Sequence, residues 1–324
     1  MRVRRRVAVA LVAAANMSST YLTAAVARAA DATKTTTDLA AELKPLLLAL
    51  EPESMMKDGG LEKAMAAIVQ LEKAANLMNT AAAIASVNGG VAILIQTCVL
   101  HPVPALRMHA TATLAACTRA NDENFAKAAI ERRLPEAMVR VLREEDRRIK
   151  KDVEESTGGK AHDPDLPTRR LALEGVAALL GGTMTAKALL ALPGVICTLF
   201  GICQNSDPTL RRRGTLLLRA LLVDGDQTYF RGIKPQPSKA VEYIAMDGEF
   251  AAEVAGHLCA AASEEDAEVA DAAVRVMLAL KASEPLRGAL KELGAEQAAT
   301  EQAESTEVAA AAARLRELAK WVRG

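Results

Sequence analysis

Residues 208–222 read PTLRRRGTLLLRALL and place Leu210, Gly214, Leu217, Leu218 and Leu221 at i, i+4, i+7, i+8 and i+11. That spacing is one face of an α-helix. The small residue at 214 lets a second helix approach that face closely. Arg211, Arg212 and Thr215 fall on other sides, and a charge run of this kind is expected to face solvent. The last residues, STEVAAAAARLRELAKWVRG, put Val308, Ala312, Leu315 and Trp321 at helical spacing and predict a terminal helix. LAAELKPLLLAL (39–50) has the pattern of a short amphipathic helix. The β-branched and aromatic clusters that mark strands are nearly absent, so the pattern predicts an all-α chain. Composition agrees: 51% of residues are hydrophobic but only 2% are aromatic, and the apolar content is carried by the helix formers alanine and leucine.

The pattern repeats. PALRMHATATLAA (104–116) aligns with PTLRRRGTLLLRA (208–220), matching Pro104 to Pro208, Arg107 to Arg211, Ala110 to Gly214, Thr111 to Thr215 and Leu114 to Leu218. TRRLALEGVAALL (168–180) is a further copy, and VADAAVRVMLAL (269–280) a weaker one. A second landmark, where another helix begins, falls at Gly90, Leu134, Gly194, Gly248 and Gly294, in steps of 44, 60, 54 and 46 residues. A unit of 42 to 46 residues lies in the armadillo/HEAT range, and each unit reads as a turn, a helix, a shorter helix and a third helix. The two longer steps carry the polar insertions 144–166 and 230–240. The predicted fold is an armadillo/HEAT-like right-handed α-solenoid of about four repeats with capping helices, over residues 53–324.

The N-terminus differs in kind. Four arginines by residue 6 precede an apolar run from Val7 to Ala15, and no acid appears before Asp31. Ala27-Arg28-Ala29 fits the small-x-small rule for cleavage, so residues 1–29 are expected to be a secretory signal peptide. The alternative is a mitochondrial transit peptide, which is also Arg-rich and acid-poor. The expected location is the endoplasmic reticulum lumen or secretory pathway, with the mitochondrion as alternative. No stable membrane span is expected in the mature chain. The last residues show no KDEL-type retrieval signal. Residues 30–52 are expected to be a flexible segment. Lys+Arg 40 balances Asp+Glu 40, which argues against general nucleic-acid binding.

Candidate chemistry is sparse. Cys98, Cys117, Cys197, Cys203 and Cys259 are too few and too scattered for a disulfide framework. Cys197 and Cys203, six apart on a predicted helix, would sit about 9 Å apart, too far to bridge. His101, His109, His162 and His257 show no metal-ligand spacing with the cysteines. Gly159-Lys160 is no phosphate loop, since Glu154 and Ala161 stand where Gly and Ser/Thr are required. No enzyme, cofactor or metal is expected. Solenoids bind along a groove lined by one helix of each repeat. The third helix is expected to line it, with Gln96, Glu136, Arg140, Thr198, Glu253 and His257 as its outward polar residues. Glu136 with Arg140, and Glu253 with His257, are i, i+4 pairs that share a face.

The order of a basic-apolar leader, a short linker, DGGLEKAMAAIVQLEKAANLMNTAAAIASVNGGVAILI (58–95) and about four further units resembles the armadillo-type nucleotide exchange factors of 70-kDa heat-shock chaperones, the Fes/HspBP/Sil group. Ala81, Ile84, Val87, Gly89 and Gly90 fit the family pattern, in which a helix pair leads into a Gly-Gly that opens the first third helix. The leader points to the lumenal Sil-type branch, which acts on BiP. The resemblance implies a groove that embraces one lobe of the chaperone's ATPase domain and favours its open, nucleotide-free form, so that ADP leaves faster. It also implies a protein partner and no bond chemistry, and a monomer is expected. By the same resemblance, residues 30–52 would act on the chaperone's peptide-binding side.

Overall fold

The computed structural model describes residues 35–143, 165–224 and 237–324, apart from positions 193, 204, 206, 247 and 307 and the side chains of 98–100, 239 and 243. The expected leader and insertion 144–166, but for its last two residues, lie outside the described residues, as does most of insertion 230–240. Every regular element among the described residues is helical. The chain divides into two compact units, one ending at Ala128 and the other beginning at Ala129.

In the first unit, α1 (Thr36–Leu48) and the single turn α2 (Pro52–Met55) precede a triplet: α3 (Gly60–Ala75), α4 (Thr80–Ser86) and α5 (Gly90–Leu100). Then α6 (Pro104–Arg119) follows, and α7 (Glu123–Glu131) runs across the division. The segment expected to be flexible is a helix from residue 36. Thr35 and Asp38 form a reciprocal capping box, and Leu39, Leu43 and Leu47 are buried where α1 packs on α3, α4 and α5. Its apolar stripe covers the open end of the first triplet, which would otherwise expose core.

The second unit holds α8 (Leu134–Arg143) and three further groups. These are α9 (Leu166–Gly181), α10 (Thr183–Leu190) and α11 (Val195–Ile202); α12 (Pro208–Arg219), α13 (Pro237–Met246) and α14 (Gly248–Ala262); and α15 (Ala267–Ala279), α16 (Glu284–Glu292) and α17 (Ala295–Ser305). The terminal helix α18 (Ala309–Arg323) closes it by packing on α15, α16 and α17. Its buried face is Ala312, Leu315, Leu318, Ala319 and Val322. The expected stripe through Val308 and Trp321 is displaced: Val308 is the N-cap, outside the helix and 64% exposed, and Trp321 sits half-buried beside the stripe.

Both sequence landmarks have local causes. First helices open on a proline in their first turn, where its missing N–H costs nothing; Pro104, Pro167 and Pro208 do this. Asp207 caps α12 by accepting the Leu210 N–H at 2.9 Å. The third helices α5, α8, α11 and α17 open on a left-handed residue: Gly89, Arg133, Gly194 and Gly294 have φ of 77°, 59°, 77° and 72°. At Gly90, the second glycine of the Gly-Gly, a Cβ would stand 2.6 Å from the Ile84 carbonyl oxygen, so the pair answers two separate demands.

The leucine face of α12 packs as its spacing predicts, with Leu210, Gly214, Leu217 and Leu218 buried, and Leu221 is buried in the π-helical turn Ala220–Asp224 that follows. A Cβ at Gly214 would lie 2.8 Å from the Ile202 Cγ2 of α11, the close approach expected there. The polar side departs from expectation. Thr215 is buried and donates to the Arg211 carbonyl at 3.0 Å, as Thr111 does to that of Arg107 at 2.7 Å. The three arginines are not simply solvated. Arg211 reaches Glu264 at 2.9 Å, Arg212 pairs with Asp266 and with Glu268, and Arg213 reaches back to Glu174 of α9. They tie α12 to the first helices on both sides. Arg170 to Asp207 and Arg314 to Asp271 extend the same ladder, within which α9, α12, α15 and α18 pack in succession. In the first unit, His109 occupies the place of Arg213 and meets Glu72 of α3. Arg107 and Arg211 also pin the linker before their own helices, bonding the Pro102 carbonyl at 3.0 Å and the Asn205 carbonyl at 2.9 Å.

Candidate protein-binding face

In the second unit the third helices stack: α8 packs on α11, and α11 on α14. Each buries one side, Ala137, Met138, Val141 and Leu142 on α8, Val195, Ile196, Leu199 and Phe200 on α11, and Val254, Ala255 and Leu258 on α14. The Phe200 and Phe250 rings meet edge to face, 6.2 Å between centroids, and join α11 to α14. The other side of this layer carries polar residues.

Five of the six residues expected in a groove fall on these three helices. Glu136 and Arg140 are exposed on α8, one turn apart, and Glu253 is exposed on α14. His257 is half-buried, and loss of water lowers its pKa from 6.5 to about 4. At neutral pH it presents an uncharged imidazole. Thr198 has another role. Its hydroxyl donates to the Gly194 carbonyl at 2.9 Å and accepts from Arg143 Nε at 2.6 Å, so both capacities are used within the protein. The residue it holds, Arg143, is exposed and was missed by the sequence reading. Arg143 is the last residue of α8 and its partner lies 55 positions away, so no local pattern announced it. The sixth residue, Gln96, is exposed on α5 in the first unit and lines a separate cleft there.

The face is of mixed charge: Glu136 and Glu253 against Arg140 and Arg143. Cys197 and Cys259, on α11 and α14, have their thiol pKa values raised by burial and stay protonated at neutral pH. Among the described residues no group of three or more His, Cys, Asp or Glu is arranged to hold a metal ion. No single described helix is long and apolar enough to cross a membrane. What such a surface can do is hold another macromolecule by charge and shape.

No protein-family model matches the chain, and no curated protein matches it. Solved structures do. A designed armadillo repeat protein in complex with the peptide (KR)4 is 13% identical with a TM-score of 0.55, covering 87% of this chain and 99% of that one. A computationally designed armadillo repeat protein for modular peptide recognition is 15% identical, with a TM-score of 0.53, covering 87% and 97%. An engineered protein, target OR329, is 16% identical with a TM-score of 0.53, covering 87% and 96%. At these identities the likeness is one of fold. The protein is an all-α, armadillo-like repeat solenoid.

Proposed function

We propose that this protein is a binding scaffold that grips another protein through the third-helix face of α8, α11 and α14 and performs no bond chemistry. The observation that carries this reading is the stacking of those helices with Glu136, Arg140, Arg143 and Glu253 exposed on them. The first helices of the same unit are meanwhile joined by ion pairs, which leaves the third-helix side to a partner. The peptide named with one structural neighbour supports a polypeptide partner in general.

The partner we propose is the ATPase domain of a 70-kDa heat-shock chaperone, BiP-type if the leader directs the chain to the endoplasmic reticulum lumen. Support comes from the resemblance of residues 58–95 and the units after them to the exchange factors of such chaperones. The mechanism is differential affinity. A scaffold that binds the open, nucleotide-free domain more tightly than the closed ADP form shifts the population toward release. The test is release of a fluorescent ADP from a BiP-type chaperone. Micromolar protein is expected to speed release, and the triple variant Glu136→Arg, Arg140→Glu, Arg143→Glu to lose at least about tenfold of that effect with helicity intact. No acceleration by the native chain contradicts the exchange reading. Capture of an extended peptide on the same face, abolished by the same variant, would then favour a general peptide-binding scaffold.

A further inference from the structure

Two contacts fix how α8, α11 and α14 are staggered. Arg143 Nε donates to Thr198 Oγ1 at 2.6 Å, so the end of α8 lies level with the middle of α11. The Phe200 and Phe250 ring centroids are 6.2 Å apart, so the second half of α11 lies level with the start of α14. One row therefore crosses the three helices, from Arg143 through Thr198 to the first turns of α14.

The outward side of each helix follows from its buried side. On α14, burial of Ala251, Val254, Ala255 and Leu258 puts Glu249 and Glu253 opposite them, and both are exposed. On α11 the outward positions are Cys197, Thr198 and Gly201, which carry no charge. A Cβ at Gly201 would meet nothing within 4 Å, so the middle of the row is open. On α8 the outward positions are Glu136, Arg140 and Arg143. Glu136 stands about two turns before Arg143, toward the start of the helix and off the row.

The row is thus positive at α8, uncharged at α11 and negative at α14. Arg143 is held in its place. Thr198 fixes its Nε, and its Nη2 lies 2.6 Å from where a Cβ at Gly194 would stand, so the guanidinium packs over bare backbone. A guanidinium held in this way loses less freedom when it meets a carboxylate. At the other pole, α14 contains no lysine or arginine, and His257 is uncharged at neutral pH. The sign persists beyond it. Gln302 Nε2 of α17 donates to the Ala262 carbonyl at 3.2 Å, and α17 adds exposed Glu301 and Glu304 with no basic residue. Packed helices lie about 8–10 Å apart, which sets the two poles about 16–20 Å apart. Extended chain spans that in about five or six residues.

We propose that the third-helix face takes a polypeptide segment of split charge in one orientation, its acidic end over Arg140 and Arg143 and its basic end over Glu249 and Glu253. The inference rests on the third-helix side being the binding face, and adds the chemistry and direction of what binds there.

The test is fluorescence anisotropy at low salt, with the full chain and a fluorescein-labelled peptide. The peptide has aspartates at one end, about six glycine, serine and threonine residues, and arginines at the other. Saturable binding below about millimolar peptide is expected, weakened by raised salt. Peptides of the same length with aspartates at both ends, or arginines at both ends, are expected to bind about tenfold more weakly. That comparison uses the native chain and depends on no variant folding. Arg140→Glu with Arg143→Glu, and Glu249→Arg with Glu253→Arg, are each expected to cost about tenfold, and the four together to restore binding with the peptide reversed. Direction is read by energy transfer from Trp321, the single tryptophan, on α18 at the α14 end of the unit. A dansyl group on the arginine end is expected to receive more transfer in the native chain, and one on the aspartate end in the fourfold variant. Lys187→Glu with Glu292→Lys, exposed on the second helices α10 and α16, is expected to change nothing. Equal binding of the uniformly charged peptides, no restoration by the fourfold variant, or equal transfer from either end overturns the polarity, even where the α8 and α14 pairs still weaken binding and the face itself stands. Binding that neither pair alters overturns the face as well, and no saturable binding overturns the proposal.

Discussion

Arg133 holds φ of 59° immediately before α8, where a left-handed glycine precedes α5, α11 and α17. A side chain in that region costs about 1 kcal/mol or more. Arg133→Gly is therefore expected to raise stability by about 0.5–1 kcal/mol, less whatever the longer side chain contributes at the surface. Gly90→Ala runs the other way, because its Cβ would press on the Ile84 carbonyl oxygen; a loss of about 2 kcal/mol or more is expected. Urea midpoints for the two variants check both signs. His257 supplies a pH dependence. Its folded pKa, about 4, lies below the unfolded 6.5, so the unfolded chain takes up a proton first as the pH falls. Stability associated with the neutral ring is complete above pH 6.5 and is lost progressively toward pH 4. Replacing it by glutamine is expected to flatten the fall between pH 7 and 5 relative to the native chain, measured as the change in urea midpoint. These residue-scale facts were half legible. Gly89-Gly90 stood out as a landmark, but that the two glycines meet different constraints needed the backbone. The burial of His257 was hidden because its i, i+4 pairing with Glu253 suggested an outward side chain.

At the scale of the helix, sequence reading did best where one face answers one neighbour. The leucines of α12 repeat at helical spacing, and burial follows. It did worst where a polar residue answers a distant one. Three adjacent arginines look like a solvated run, yet their carboxylate partners lie 39 to 56 positions away on the flanking repeats. No periodicity encodes that pairing, since any exposed glutamate on a neighbouring helix would look the same. Terminal helices failed for a related reason. Val308 matches the 3.6-residue beat, but the chain is not yet helical there, so the beat has no face to act on. The ladder itself is testable at Asp207, which caps α12 and takes a paired contact from Arg170. The Arg170 bond comes first among the causes that hold the Asp207 carboxyl below its usual pKa, with the Leu210 N–H adding to it. Asp207→Asn keeps a capping oxygen and loses the charge, whereas Asp207→Ala loses both. Expected costs are about 1 kcal/mol and about 2 kcal/mol. Equal midpoints for the two variants would remove the cap from the account.

At the scale of the molecule, the repeat carried the fold. Steps of 44 to 60 residues between third-helix starts announced stacked triplets, and in the second unit the triplets stack as described. The candidate binding face was legible only as a set of helices. The third helices were identified correctly, yet one of the six residues chosen on them is consumed by internal hydrogen bonds, and another is sunk and uncharged. A solvated position and a binding position have the same pattern; what separates them is the partner each side chain already has. Arg143 emerges for that reason, as the exposed end of a contact that Thr198 holds in place.

The proposed partner would cover the third-helix side of the second unit. Hydrogen–deuterium exchange of the full chain, with and without the ATPase domain of a BiP-type chaperone, reads out that coverage. Exchange is expected to slow in residues 134–143, 195–202 and 248–262, with little change in 208–219 and 267–279. Slowing confined to the first helices, or no slowing anywhere at saturating ATPase domain, would contradict it.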